Sequence, residues 1–270
     1  MKIFAFINQK GGVGKTTVAV NLARALTLKN YKVLLIDFDP QANAGSGLGI
    51  RVSKNESIYQ ALIEGNCERF LKNPYTNLYV LPSSIDLVGL EVELVDFPER
   101  EYLLKNLIEK SFFNGYPLQE FFDFIFIDSP PSLSLITVNI LTASHGIIIP
   151  LQCEYYALEG LSLLVKTIRG IKKSFNPDLV LFGLVLTMYD SRNRLSHEVA
   201  EEVRNHFKWI VFNTLIPRSV RVSEAPSFGM SVIDYEKTNK ASLAFLELAE
   251  EFLNRVKNYT TIIKPASSIN

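Results

Sequence analysis

Cysteine is scarce in this 270-residue chain, with Cys67 and Cys153 as its only two. They stand far apart and show no metal-ligand spacing, which argues against a disulfide framework and fits a reducing cytosol. Net charge is missing too, because Lys+Arg and Asp+Glu both total 28. Composition thus carries no footprint of a nucleic-acid binder, and any polyanion site has to be a local patch. No apolar run approaches the ~20 residues that cross a bilayer. Residues 1–8 are too short for a signal peptide and lead directly into a glycine-rich loop. No repeat or low-complexity stretch interrupts the chain. What is present is an ordinary hydrophobic fraction of 47%. With this length it predicts one large cytoplasmic α/β domain over 1–258 with a sizeable core.

Short apolar runs rich in Ile, Val, Phe and Leu occupy 3–7, 32–36, 124–127, 146–150 and 179–187. Near-continuous apolarity without alternation marks parallel strands covered on both faces. Helical patterns lie between them at 15–29, 132–143, 158–173, 196–207 and 240–257. This order predicts a mainly parallel central sheet with right-handed crossovers and helices on both faces. The stretch 51–114 breaks the rhythm, with a strand candidate at 78–81 and helical patterns at 86–95 and 99–111. It reads as a variable decoration over one side of the sheet. Residues 259–270, with Pro265, Ser267 and Ser268, lack periodicity and are expected to form a flexible tail.

The first strand ends at Asn8, and Gln9-Lys10-Gly11-Gly12-Val13-Gly14-Lys15-Thr16-Thr17 follows before a helix. Glycines let backbone N–H groups converge on phosphate oxygens, because no Cβ blocks the approach. The helix start aims free N–H groups and the positive dipole end at the same anion. Lys15 is placed to bridge β and γ phosphates, and the Thr16 hydroxyl to ligate Mg²⁺. The loop departs from G-x-x-x-x-G-K-[ST], since Gln9 replaces the first glycine and Lys10 precedes Gly11 and Gly12. A mere glycine-rich turn explains the glycines but not Gly-Lys-Thr after a buried strand. ATP binding with Mg²⁺ on a P-loop NTPase-like α/β fold is expected.

Two further strands end in acids. Asp37-Phe-Asp39-Pro40 closes the second, where strand ends of an open parallel sheet face the phosphate loop. Two residues apart on extended chain, Asp37 and Asp39 point the same way, and Pro40 stops the strand. One of them is expected to orient the attacking water. Phe124-Ile-Phe-Ile-Asp128 has the Walker B form, a buried strand whose terminal carboxylate meets Mg²⁺. Three strands that each end in a phosphate- or Mg²⁺-handling group are more specific than any one alone.

The loop Lys10-Gly-Gly-Val-Gly-Lys-Thr-Thr17 resembles the deviant Walker A loop of the ParA/MinD class of P-loop ATPases. Asp37-x-Asp39-Pro-Gln and Asp128-Ser-Pro-Pro-Ser132 are similar to that class as well. Pro150 to Gly160, Leu186 to Arg192 and Ile216 to Gly229 are close to its chromosomal, Soj-like branch. The resemblance spans residues 1 to about 250, weakly over 51–114. It implies an ATPase in which Lys10 reaches across an ATP-bound homodimer to the partner's phosphates, as an arginine finger does in trans. It selects Asp39 to position the water and to stand with Thr16 and Asp128 at the metal. The expected nucleotide-binding set is Lys10, Gly11, Gly12, Val13, Gly14, Lys15, Thr16, Thr17 and Pro217, with Lys10, Lys15 and Asp39 catalytic. In the branch a Pro-Arg-Asn segment lines the adenine pocket. Here it reads Pro217-Arg218-Ser219, and a hydroxyl cannot supply an amide's donor and acceptor together. The resemblance also implies slow, partner-stimulated hydrolysis, a ParB-like partner, and nucleoid association when ATP is bound.

Members of this class bind double-stranded DNA without sequence preference once dimerised, which makes Arg192, Arg218 and Arg221 the candidate contacts. The bare residues carry less, since 190–222 holds six basic and four acidic side chains. Two copies on one face would strengthen such a patch. With about seven residues before the loop, an N-terminal helix-turn-helix domain is not expected. The alternative is a MinD-like membrane-associated cell-division ATPase, which needs a basic amphipathic C-terminal helix. Residues 258–270 hold one lysine and a proline, so no stable membrane association is expected. A nitrogenase-iron-protein-like carrier needs paired cysteines in glycine-rich contexts, which Cys67 and Cys153 lack. A nucleotide-gated binding module without significant turnover differs only in whether a partner speeds hydrolysis.

Overall fold

β-Branched and aromatic side chains suit a pleated surface packed on both faces, and the apolar runs become its strands. The computed structural model describes residues 2–53, 55–93, 97–154 and 157–262. In chain order the strands are β1 (Ile3–Phe6), β2 (Val33–Asp37), β3 (Lys72–Tyr75), β4 (Leu78–Leu81), β5 (Phe112–Phe113), β6 (Tyr116–Pro117), β7 (Phe124–Asp128), β8 (Gly146–Gln152) and β9 (Val180–Thr187). Among the described residues, seven of them form one sheet in the order β3-β4-β2-β7-β1-β8-β9. Every neighbouring pair is parallel except β3 with β4. This is the expected mainly parallel sheet, and β1 lies near its middle because the chain winds outward in both directions from it.

The absence of alternation in the sequence has a direct cause: both faces are buried, with different chemistry. Phe4, Phe6, Phe124, Phe126 and Phe182 belong to one face, where all but Phe6 meet Phe252 and Phe6 meets Phe126. Their rings pack edge-on or tilted, Phe4 at 4.8 Å from Phe182 and 4.9 Å from Phe252, the arrangement the ring quadrupole favours. Ile3, Ala5, Ile125, Ile127, Ile147 and Ile149 point to the other. Helices α1 (Lys15–Thr27) and α2 (Asn43–Gly47) follow β1 and β2. Helices α3 (Ile58–Glu64), α4 (Leu90–Glu93), α5 (Leu103–Lys110) and α6 (Leu118–Phe121) belong to the middle of the chain. Then come α7 (Leu135–Ala143), α8 (Ala157–Ser174) and α9 (Arg194–Phe207). The last are α10 (Val220–Glu224), α11 (Val232–Tyr235) and α12 (Lys240–Ile262). The phenylalanine face is covered by α1 and α12, and the isoleucine face by α3, α5, α7, α8 and α9.

The stretch 51–114 shares that core, since Ile58, Ala61, Phe70, Leu87, Leu104 and Leu107 pack in one cluster with α7 and α8. The strand at 78–81 is β4, parallel to β2. Its antiparallel neighbour β3 was not legible, because Lys72-Asn-Pro-Tyr75 is polar and carries a proline that only a sheet edge tolerates. The helical pattern at 86–95 divides into a 3₁₀ turn, Ile85–Gly89, and α4, and its last two residues fall outside the described ones. That at 99–111 is a 3₁₀ turn, Arg100–Tyr102, leading into α5. Helix α12 continues past residue 258 to Ile262, and 263–270 lie outside the described residues.

Gly183 is required where β9 shifts register against β8. A Cβ there would run into the edge of the buried Phe212 ring, over which the Arg255 guanidinium stacks at 3.9 Å from the centroid. Gly183→Ala is expected to destabilise by about 1–3 kcal/mol through overpacking, read as a lower urea midpoint at unchanged slope.

Candidate nucleotide and metal site

The phosphate loop is held in place by the end of β1 and by β8 and β9, which lie on one side of it. Asn8, buried at the end of β1, donates from Nδ2 to the Pro150 carbonyl at 2.8 Å and accepts the Lys10 N–H at 3.0 Å. Thr187 at the end of β9 donates to the Val13 carbonyl at 2.8 Å. The Lys15 ammonium lies 3.4 Å from the Lys10 carbonyl, within the loop's own curve. Gly12 and Gly14 have φ of +75° and +92°, a left-handed backbone that glycine adopts without strain. Gly14 stands at the N-cap of α1, and no side chain caps that end. Its first N–H groups are therefore open to an anion, with the helix dipole behind them.

In front of the loop lies a cavity of about 660 Å³ whose wall includes Gly11, Gly12, Lys15, Thr16, Asp39 and Pro131. It adjoins a second of about 320 Å³, since Gly14, Thr17 and Met188 line both. The second cavity has apolar walls from Val18, Ile216, Pro217 and Val222, with Arg218 and Ser219 also on its lining. One space is rich in donors and charge, the other mixes apolar walls with the hydroxyls of Thr187, Ser219 and Ser223. Together they match the two ends of a purine nucleotide.

The acids behind the loop are arranged by β2 and β7, which bring Asp37 and Asp128 side by side. Asp37 is fully buried and accepts the Gly45 N–H at 3.0 Å and the Asp39 N–H at 3.3 Å. Burial pushes its carboxyl up to about 7, against the pull of those N–H groups. Asp39 lies on the cavity wall, where one of its oxygens accepts the Gln41 N–H at 2.9 Å. Asp128 is fully buried, and neither of its oxygens has a hydrogen-bond partner. Burial and the neighbouring Asp37 raise its pKa well above the carboxylate range, while the Thr16 hydroxyl and Lys15 pull the other way. Burial lowers Lys15, offset by Asp128 and Asp39.

Asp128 and Asp39 thus face one ammonium, Asp37 stands beside Asp128, and Asp128 is unsatisfied. An orphaned buried carboxylate is costly unless something cationic meets it. Asp128, the Thr16 hydroxyl and Asp39 form a hard-oxygen set suited to Mg²⁺ beside a polyphosphate. The residues present fit that ion and its nucleotide.

Of the residues expected from the sequence, Gly11, Gly12, Gly14, Lys15, Thr16, Thr17 and Asp39 are brought to the cavity walls, and Pro217 to the second cavity. Val13 is buried beneath the loop. Lys10 goes elsewhere: its half-exposed side chain pairs with Glu154, just beyond β8, and is not on the cavity wall. Arg192, Arg218 and Arg221 are all exposed. Arg192 forks onto Asp190 with two contacts of 3.0 Å, and Arg221 lies between Glu224 at 2.7 Å and Glu236 at 2.8 Å. The supports Asn8, Thr187 and Glu154 were not legible. A strand-terminal polar residue was the one signal for Asn8, whereas Thr187 lies 174 residues from the carbonyl it holds.

A carboxyl whose folded pKa is raised stabilises the fold fully below its unfolded value of 3.8, and that contribution is lost as pH rises through about 7. Metal-free protein is therefore expected to melt progressively lower between pH 5 and pH 8. Asp37→Asn should flatten that slope, and added Mg²⁺ with ATP should offset the loss. Equal slopes for wild type and variant would contradict the assignment.

Comparison with known proteins agrees with this geometry. Residues 1–181 match the family model AAA_31, an AAA domain. The chain is 47% identical over 257 residues to the chromosome partitioning protein ParA of Myxococcus xanthus, covering 94% of this chain and 88% of that one. It is 46% identical over 253 residues to the sporulation initiation inhibitor protein Soj of Bacillus subtilis, with 93% and 97% covered. Among solved structures, cobyrinic acid a,c-diamide synthase from Mycobacterium smegmatis with bound ADP and magnesium superposes with a TM-score of 0.81 at 34% identity, over 96% of each chain. A plasmid partition protein of Borrelia burgdorferi bound to AMPPNP gives 0.77 at 26% identity, over 96% of this chain and 99% of that one. With the sheet order, the two-lysine loop and the paired acids in place, the chain belongs to the ParA/Soj family of P-loop ATPases.

Proposed function

We propose that this protein is an ATP-driven dimerising switch that hydrolyses ATP and acts in the partitioning of DNA. The observation that carries the reading is that two lysines of one loop go to different places. Lys15 is buried in its own cavity, whereas Lys10 stands outside it at the protein surface. A lysine so placed is available to the phosphates of a second copy. Lys15 and the open N–H groups of α1 hold the triphosphate, with Thr16 and Asp128 at the metal. Bound Mg²⁺ supplies charge neutralisation across the phosphates. Asp39, held through the Gln41 N–H, orients the attacking water. Lys10 from the partner then adds positive charge where it develops in the transition state.

In this reading hydrolysis is slow until a ParB-like partner meets the ATP dimer. Arg192, Arg218 and Arg221 then contact DNA phosphates without reading sequence. In the single chain Arg192 and Arg221 are satisfied by acids, so one copy offers DNA little. Two copies side by side raise affinity through multivalency. No described helix is long and apolar enough to cross a membrane. The relatives' partitioning role supports a place in the cytoplasm, on the nucleoid while ATP is bound.

ATPase activity measured with and without DNA and a candidate ParB-like protein tests the scheme. Asp39→Ala should lower turnover by about 10²-fold or more while ATP-dependent dimers persist. Lys10→Ala should abolish both stimulation and dimer formation; a Lys10→Ala protein that dimerises and hydrolyses like wild type overturns the reading. DNA retention should require ATP and fall steeply between 50 and 200 mM salt, by about tenfold or more. Retention that ignores salt or nucleotide contradicts the arginine assignment.

A further inference from the structure

A serine on the wall of a base pocket is chemically ambiguous, since its hydroxyl donates one hydrogen bond and accepts others. Ser219 lines the second cavity beside Gly14 and Thr17. It stands at the N-cap of α10, yet its side chain does not cap that helix. Its hydroxyl lies instead 3.2 Å from Asn239 Oδ1, with the serine as donor. Asn239 precedes α12, and the same Oδ1 accepts the Ala241 N–H at 2.9 Å. A backbone N–H can only donate. It therefore fixes which end of the Asn239 carboxamide is oxygen, an assignment that is otherwise open.

The consequence runs through three atoms. Ala241 N–H orients Asn239 Oδ1, Oδ1 takes the Ser219 hydroxyl proton, and the Ser219 oxygen keeps only lone pairs for the cavity. A base seated against Ser219 then meets an acceptor. Adenine has an exocyclic amino group to donate there, whereas guanine has a carbonyl whose lone pairs would face those of Ser219. We propose that Asn239 sets the preference for adenine over guanine by holding Ser219 as an acceptor, so that the pair does the work of one side-chain amide. Ser219 touches the base, and Asn239 is a positioning residue that acts through it. The proposal rests on the nucleotide reading of the cavity.

Calorimetric titration with Mg²⁺ and ATP, GTP or purine riboside triphosphate, which lacks the 6-amino group, tests it. Wild type should prefer ATP over both competitors. Ser219→Ala should bring ATP down to the affinity of purine riboside triphosphate, a loss of about three- to tenfold for one neutral hydrogen bond. Asn239→Ala should shrink the ATP-to-GTP ratio similarly, and Ser219→Ala/Asn239→Ala should lose no more than either alone. Asn239→Asp keeps the acceptor and the contact with Ala241, so it should keep the ratio. A merely structural Asn239 would lower affinity for all three nucleotides together, and that result overturns the proposal. So does an ATP-to-GTP ratio unchanged in Ser219→Ala. If wild type binds none of the three, the nucleotide reading itself fails, which is a separate outcome.

Discussion

The fold gathers more negative charge behind the phosphate loop than its own side chains neutralise. Asp37 and Asp128 are adjacent because β2 and β7 are parallel neighbours in register, and both are sealed from water by helices on either face. A carboxylate pair so buried destabilises the chain in isolation. The rest of the site answers that imbalance. Lys15 is drawn under the loop, Thr16 stands beside Asp128, and backbone N–H groups of α2 and the β2 turn donate to Asp37. What is left over is the work of a divalent cation. Metal, nucleotide and fold are therefore coupled, since each makes the others less costly.

A loop that must present N–H groups to an anion cannot be free to move. Here β8 and β9, on the side of β1 away from the acids, supply the anchors through Pro150 and Thr187. The phosphate loop is thus suspended between acids on one flank and hydrogen bonds on the other. Beneath it the phenylalanine face provides a stiff floor, with interlocked rings from β1, β7, β9 and α12. Fixed donors over such a floor give preorganised electrostatics, which is where phosphoryl transfer obtains most of its acceleration. The lysine at the rim of this scaffold, Lys10, is tied to it through its backbone while its side chain turns outward to Glu154.

Much of this was legible from residues alone. Buried parallel strands announce themselves by unbroken apolarity, and a strand that ends in Asp or in Gly-Lys-Thr says which end of the sheet carries chemistry. Local signals of that kind singled out Lys15, Thr16 and Asp39, which line one cavity, and Asp128, which is buried behind the loop. They could not place β3, whose polar, proline-containing sequence forms a strand only because β4 offers it an edge. Nor could they separate the two faces of the sheet, since phenylalanine and isoleucine are equally apolar in a pattern.

The sequence by itself determined the loop chemistry, the sheet class and the identity of the charged groups, because these depend on residues near one another in the chain. Tertiary structure alone decided the partnerships. Glu154 meets Lys10, Thr187 holds Val13, and Asn239 turns the hydroxyl of Ser219. Each of these joins segments that only the closing of the sheet and the docking of α12 bring within hydrogen-bond distance. A side chain's type is written in the sequence, but whether it donates, accepts or lies buried without a partner is set by its neighbours in space.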